Sequence, residues 1–474
     1  MQAMSGLDAA FLYLEQPHMP MHVGSLCIFE GALKFDDFRL VLAQRMSKLR
    51  TFRQKLVNVP LSVDRPFWVD DPHFRLDDHL HHTALPAPGG WRELRRLCSR
   101  LFAQTLDRDR PLWEFVFVEG LNNIPQVPAQ STAIISKIHH AAIDGGSGNT
   151  IMSVLFDAQP IQPNGDAPEI KAAKPIPSDL ELMAHSAADF VRRPFKLPSI
   201  LLETARATLQ SGTFSRVLRR EMAVPFRAPH VPFNQPVDRS RLWNTAVLDL
   251  RRVKALKDLM KCTLNDVVLA ICAGALRHYL LQRESLPEAP LVAMVPISTR
   301  KSTQRQDLGN QVDATLVELA SQIEDPIERL CQIQRNMAHA KTNHKAANAN
   351  LIMEYSELVP YGVAGQAARL YTRTELAKRH RPLFNCVITN VPGPRIPLYL
   401  AGHRMIASMG MAPIVDGVGL TIVVFSYGDL LTISPMSSPR VMPDLDVFAR
   451  LLRESANELE SAVQAHGAEA HGTD

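Results

Sequence analysis

The chain has 474 residues, too many for one ordinary core, and its 46% hydrophobic and 21% charged content is that of a globular protein of about two domains. No run reaches the roughly 18 uninterrupted apolar residues of a membrane-spanning helix. The six cysteines are scattered without a CxxC pair, which excludes a disulfide frame or structural zinc and points to a reducing compartment.

The start, MQAMSGLDAAFLYLEQP, has no basic leader and is interrupted by Asp8 and Glu15, unlike a signal peptide. The expected location is cytoplasmic, peripheral on the inner membrane or on lipid inclusions. The net charge of +4 is unevenly spread. Residues 191–230 hold Arg192, Arg193, Lys196, Arg206, Arg216, Arg219, Arg220 and Arg227 against Glu203 and Glu221, beside Phe190, Phe195, Leu197 and Ile200. Basic charge among apolar residues suits an anionic membrane surface, and a solvated helical linker is the competing reading. No nucleic-acid motif accompanies the charge, so nucleic acid is not an expected partner.

In chain order, residues 4–15 read as an amphipathic helix with Leu7, Phe11 and Leu14 on one side. Residues 22–30 read as a strand and 35–56 mainly as a helix, with strand-like pieces at 67–69 and 74–85. Leu94, Leu97, Leu101 and Phe102 fall at helical spacing within 91–106, and Pro111-Leu112-Trp113 opens a strand ending near Val118. This alternation is an α/β pattern. Prolines 160, 163, 168, 175 and 177 then mark a linker, followed by helical patches at 180–191 and 199–220 and a second proline cluster.

The second half begins with a strand at 242–250 and a helix to Lys261. Thr263 and Asp266 have the spacing of an acidic capping box opening the next helix. Strands are expected at 291–297, 312–319, 384–389, 420–426 and 430–434, with helices at 326–340, within 351–371 and from Pro443. The division that follows is 1–158, a linker at 159–236, a second domain at 237–465 and a disordered tail at 466–474.

The chemistry concentrates in residues 131–150, STAIISKIHHAAIDGGSGNT. A β-branched run stops at His139-His140 and breaks into a turn holding Asp144-Gly145-Gly146, with a periodic segment after it: strand, turn, helix. A lone histidine at a strand end is more often a hydrogen-bonded core residue, and Asp-Gly alone marks only a turn. Neighbours on a strand point to opposite faces, so the two histidines cannot easily ligate one ion, and no metal is expected. The paired histidines of residues 78–82 have no Asp-Gly at that spacing and read as the polar side of an ordinary strand.

HHAAIDG matches the HHxxxDG signature of the CoA-dependent acyltransferase superfamily. The whole chain resembles bacterial wax ester synthase/diacylglycerol acyltransferases through SGLDAAFLYLE, PMHVGSL, PLW at 111–113, TLNDVVLA at 263–270, VPISTR at 295–300, LGNQ at 308–311 and TNVPGP at 389–394, in the family's order. The resemblance implies two chloramphenicol-acetyltransferase-like α/β domains, each a mixed sheet with flanking helices, and a tunnel between them. It also implies acyl-CoA and a fatty alcohol or diacylglycerol as substrates, and neither a cofactor nor a covalent intermediate.

By family match the general base is His140, since strand alternation alone does not choose between it and His139. Asp144 is expected to hold the site's shape with Arg300 as partner, and Gly145 to let the thioester approach. Asn265 is a candidate to steady the oxyanion or another catalytic group, and Asp266 a cap. Pro111, Leu112, Trp113, Asn310, Asn390, Pro392 and Gly393 are expected to shape the tunnel, and the small residues of 361–365 to set chain length. Two rival readings are a carrier-protein-dependent condensation or polyketide-associated acyltransferase and a catalytically inactive lipid-surface binding protein. A serine or cysteine nucleophile has no GxSxG elbow or cysteine near a histidine to support it. If the basic segment meets a membrane, replacing Arg192, Arg193 and Lys196 by glutamine is expected to weaken co-sedimentation with anionic liposomes; unchanged sedimentation leaves the linker reading.

Overall fold

The computed structural model describes residues 1–62, 64–143, 147–168, 175–192, 228–298, 312–346 and 361–471. Among them, the strands form a six-stranded, a seven-stranded and a three-stranded sheet. Arg300, Asn310, Asp144, Gly145 and most of the basic segment lie outside the described residues.

In the six-stranded sheet, Ser131–His139 is central, antiparallel to His22–Phe29 on one side and to Trp113–Leu121 on the other. Leu80–Ala84 completes that edge in parallel. On the far side of His22–Phe29 lies His403–Met411, then Tyr399–Leu400. Sheet membership thus crosses the expected division at 237, because two strands of the second half are hydrogen-bonded into the first sheet. The sequence reading has no strand at His403–Met411, whose HRMIASMGM carries a single β-branched residue. Its strand character comes from its neighbours instead.

The seven-stranded sheet is mixed: Val292–Ser298 and Thr421–Tyr427 flank Cys386–Val391 in parallel, and Val312–Glu318 and Leu430–Ser437 pair antiparallel outside them. Behind it lies Leu264–Leu281, long and apolar enough to cross a membrane by composition but 78% buried, which makes it a core helix here. It packs against Leu445–His471 and Pro326–Ala346.

The two sheets are joined by specific contacts along His403–Met411. Thr432 Oγ1 donates to Ser408 O (3.1 Å), Tyr427 Oη to Met405 O (3.0 Å) and Trp243 Nε1 to Gly410 O (3.2 Å). Each satisfies a buried donor that would otherwise cost about 1–3 kcal/mol.

Three further expectations are corrected. The helix expected over 35–56 stops at Arg45, and Gln54–Val57 is a strand. The expected disordered tail is helical through His471, since the alanines around Gly467 favour helix. Of the histidines in 78–82, His79 is buried in a short 3₁₀ turn, its Nδ1 2.9 Å from Trp113 O, while His81 and His82 are exposed on the edge strand.

Gly410 is required by the close approach of the sheets: a Cβ there would lie 2.3 Å from Val423 Cγ1. Gly410→Ala is expected to cost about 1–3 kcal/mol by overpacking. Val423→Ala, which removes the colliding methyl, should recover part of that loss. A double-mutant cycle by thermal or denaturant unfolding reads the coupling, and strict additivity would contradict the contact.

Candidate active site

The central strand ends at His139 and a 3₁₀ turn, His140–Ala142, begins at once. Two flanking segments hold that junction by main-chain hydrogen bonds. His139 N–H donates to Leu112 O (2.9 Å) and His140 N–H to Met21 O (2.8 Å). The side chain of His139 caps the turn, its Nδ1 accepting the Ala141 N–H at 3.1 Å.

The two rings then diverge. His139 is fully buried, and because Nδ1 is an acceptor its proton belongs on Nε2, which faces Glu15 Oε1 at 3.4 Å. That separation is long for a hydrogen bond, and Nε2 has no closer partner. His140 is only partly exposed and lies flat on Phe11, ring centroids 3.8 Å apart and planes 14° from parallel. Its Nδ1 is buried without a well-formed hydrogen bond.

Burial pushes the His140 imidazole down to about 4; its own carbonyl opposes that shift and neighbouring His139 adds to it. The ring is therefore neutral near pH 7 and able to accept a proton.

Glu15, which closes helix Gly6–Leu14, is the residue that sequence reasoning missed. Its carboxylate accepts the Met21 N–H (3.1 Å) and two bonds from Arg108 (3.0 and 2.6 Å). Burial alone would push its pKa up, but His139 and Arg108 outweigh that and hold it at about 2. The only sequence signal was a charged residue ending an apolar helix. Phe11 was assigned to that helix's apolar side, with no hint that its partner is a histidine ring.

The remaining candidates fall into three groups. Leu112 supplies the carbonyl that seats His139, and Trp113 is 1% exposed with Nε1 on Phe52 O (2.7 Å), so PLW braces the strand end from within the core. Removing the Trp113 ring would cost about 3–5 kcal/mol. Asp266 forms the expected capping box with Thr263, and its Oδ1 is buried without a partner. Asn265 Oδ1 accepts from Asn390 Nδ2 at 3.4 Å, which ties the ND turn to the NVPGP loop. Gly393 is required by packing, since a Cβ would meet Ser426 O at 2.0 Å. Pro392 is exposed in the same loop.

Helix Tyr361–Arg373, which begins with the small residues of 361–365, packs on helix Gly6–Leu14. Among the described residues no cluster of histidine, cysteine and carboxylate side chains could hold a metal ion. Cys27 and Cys386 are buried, and burial pushes the Cys386 thiol up to about 12, far from a reactive thiolate.

The family model described as "Wax ester synthase/diacylglycerol acyltransferase catalytic domain" matches residues 4–268, and "WS/DGAT C-terminal domain" matches 308–460. The chain belongs to this wax ester synthase/diacylglycerol acyltransferase family. A Mycobacterium tuberculosis protein named as a candidate diacylglycerol O-acyltransferase is 36% identical over 96% of this chain and 90% of its own length. A second from that organism is 36% identical over 97% of this chain and 100% of its own. The solved wax ester synthase/diacylglycerol acyltransferase of Marinobacter aquaeolei is 27% identical, with a TM-score of 0.68 over 98% of this chain and 100% of that one. The first condensation domain of the CDA synthetase, 14% identical with a TM-score of 0.57 over 98% of this chain and 96% of that one, shares the fold alone.

In this wax ester synthase/diacylglycerol acyltransferase family member, a base at His140 must be neutral to act. Its proton uptake is displaced from near 6.5 to about 4. The acid limb of kcat/KM is therefore expected well below pH 6, and a limb at the ordinary histidine value would contradict the burial argument. The unfolded chain binds a proton below about 6.5 that folded His140 refuses until about 4, so stability falls across that window and rates must be referred to folded protein.

Proposed function

We propose that the chain transfers a fatty acyl group from acyl-CoA to the hydroxyl of a long-chain alcohol or diacylglycerol, with His140 as general base. The observation that carries the assignment is the contrast at the strand end: His139 is sealed, with Nδ1 spent on the Ala141 N–H and Nε2 facing Glu15, while His140 is neutral, partly exposed and planar against Phe11.

In this reading His140 Nε2 takes the hydroxyl proton as the alcohol oxygen attacks the thioester carbonyl carbon. The new C–O bond leaves a tetrahedral oxyanion, whose collapse breaks the C–S bond. The imidazolium then returns its proton to the departing thiolate, giving ester and free CoA and restoring neutral His140. A base with a depressed pKa is a weak one, so proton transfer accompanies the attack and does not precede it. The Phe11 face favours the ring at the moment it becomes a cation.

Asp144 and Arg300 are proposed to hold the turn by an ion pair, and Gly145 to admit the thioester. The Asn265–Asn390 pair is proposed to steady the oxyanion side. Asn310 and the loop of Pro392 and Gly393 are proposed to line a tunnel between the two sheets, and the basic segment after Val191 to meet lipid surfaces.

The test is purified enzyme with palmitoyl-CoA and, separately, hexadecanol and dioleoylglycerol. His140→Ala is expected to lower kcat/KM by about 10²–10⁴-fold while the fold is kept. Near-normal ester formation by that variant would remove His140 from the base role, and no product from either acceptor with wild-type enzyme would sink the substrate class.

A further inference from the structure

The Glu15 carboxylate grips both sides of the histidine pair. One oxygen, Oε1, takes the N–H of Met21 and faces Nε2 of His139. Met21 in turn offers its carbonyl to the His140 N–H, and the other ring nitrogen of His139 accepts the Ala141 N–H one residue beyond His140. His140 is thus bracketed in the chain by two hydrogen bonds, one reaching Glu15 Oε1 through the Met21 N–H and the other through the 3.4 Å approach of His139 Nε2 to the same oxygen.

Arg108 fixes that carboxylate from the opposite side, through Oε2, while its Nη2 also reaches Leu12 O at 3.2 Å. The same helix carries Phe11, whose carbonyl accepts the Glu15 N–H and whose ring lies on His140.

Tautomer is the quantity at stake. With the proton on Nε2, His139 points a donor at Glu15 and a lone pair at Ala141. With the proton on Nδ1, two N–H groups would face each other at Ala141 and a bare nitrogen would face a carboxylate. Both contacts would then be repulsive, and the turn that presents His140 would lose its cap.

We infer that Glu15 is a positioning residue for the reaction: by accepting the Nε2 proton of His139 it fixes the tautomer that caps the turn and sets the His140 ring. This rests on the acyl-transfer reading for its kinetic consequence, but the tautomer itself can be read without turnover.

The experiment compares wild type, Glu15→Ala and Glu15→Gln, each with histidine ¹⁵N labelling and steady-state kinetics on palmitoyl-CoA and hexadecanol. In wild type at neutral pH, long-range ¹H–¹⁵N spectra are expected to show His139 protonated on Nε2 alone. Glu15→Ala should mix the tautomers and lower kcat by roughly 10²-fold, the scale of a 1 Å misplacement of a reacting group. Its KM for acyl-CoA should change by no more than about threefold. Glu15→Gln keeps an acceptor oxygen for Met21 and His139 while giving up the two Arg108 bonds to Oε2, so it should retain the Nε2–H tautomer and recover kcat to within about tenfold of wild type.

The inference is overturned if wild-type His139 carries its proton on Nδ1, a result that needs no variant. It is also overturned if Glu15→Ala keeps near-normal kcat per folded molecule, or if Glu15→Gln falls as far as Glu15→Ala. If wild type forms no ester at all, the acyl-transfer reading fails, and the tautomer spectra alone still decide the Glu15 assignment.

Discussion

Desolvation of one imidazole is the constraint on which the site depends. His140 sits where the central strand of the first sheet gives way to a 3₁₀ turn, and its burial keeps it uncharged at working pH. That burial is tolerable because the main-chain polar groups around it are satisfied: Leu112 and Met21 carbonyls take the two histidine N–H groups, and His139 takes the next one. A strand end that leaves such groups unpaired would pay about 1–3 kcal/mol for each. The hydrogen bonds make it possible to place an imidazole in an apolar setting, and the apolar setting keeps it neutral.

The strand His403–Met411 gives the fold its second organising feature. It belongs to the first sheet by hydrogen bonding and to the second by packing and by the bonds from Thr432, Tyr427 and Trp243. The two halves are therefore not free to drift, and His140 from one is held in a fixed frame relative to the Asn265–Asn390 pair from the other. The arrangement also explains why Gly410 and Gly393 are glycines: each stands where another element comes too close for a Cβ.

Much of the fold was legible because its strands and helices obey their own periodicities. The β-branched run before His139, the capping box at Thr263 and Asp266 and the alternation of elements all carry local signals. The HHxxxDG stretch was legible by resemblance instead, and the family that it resembles is the one to which the chain belongs. What the sequence hid was long-range. His403–Met411 is a strand because of its neighbours, and Glu15 meets His139 across 124 residues of chain that no local pattern connects. The choice between the histidines was hidden differently. Alternation assumes a strand, but the strand stops at His139, so His140 obeys a turn instead.

The most direct measurement is a crystal structure with a non-hydrolysable thioether analogue of acyl-CoA and a long-chain alcohol bound together. The account predicts the alcohol oxygen within about 2.6–3.2 Å of His140 Nε2, with the carbonyl carbon's position on the other side of that oxygen. An alcohol lodged out of reach of His140, or a ternary complex in which the ring is walled off from both ligands, would contradict it.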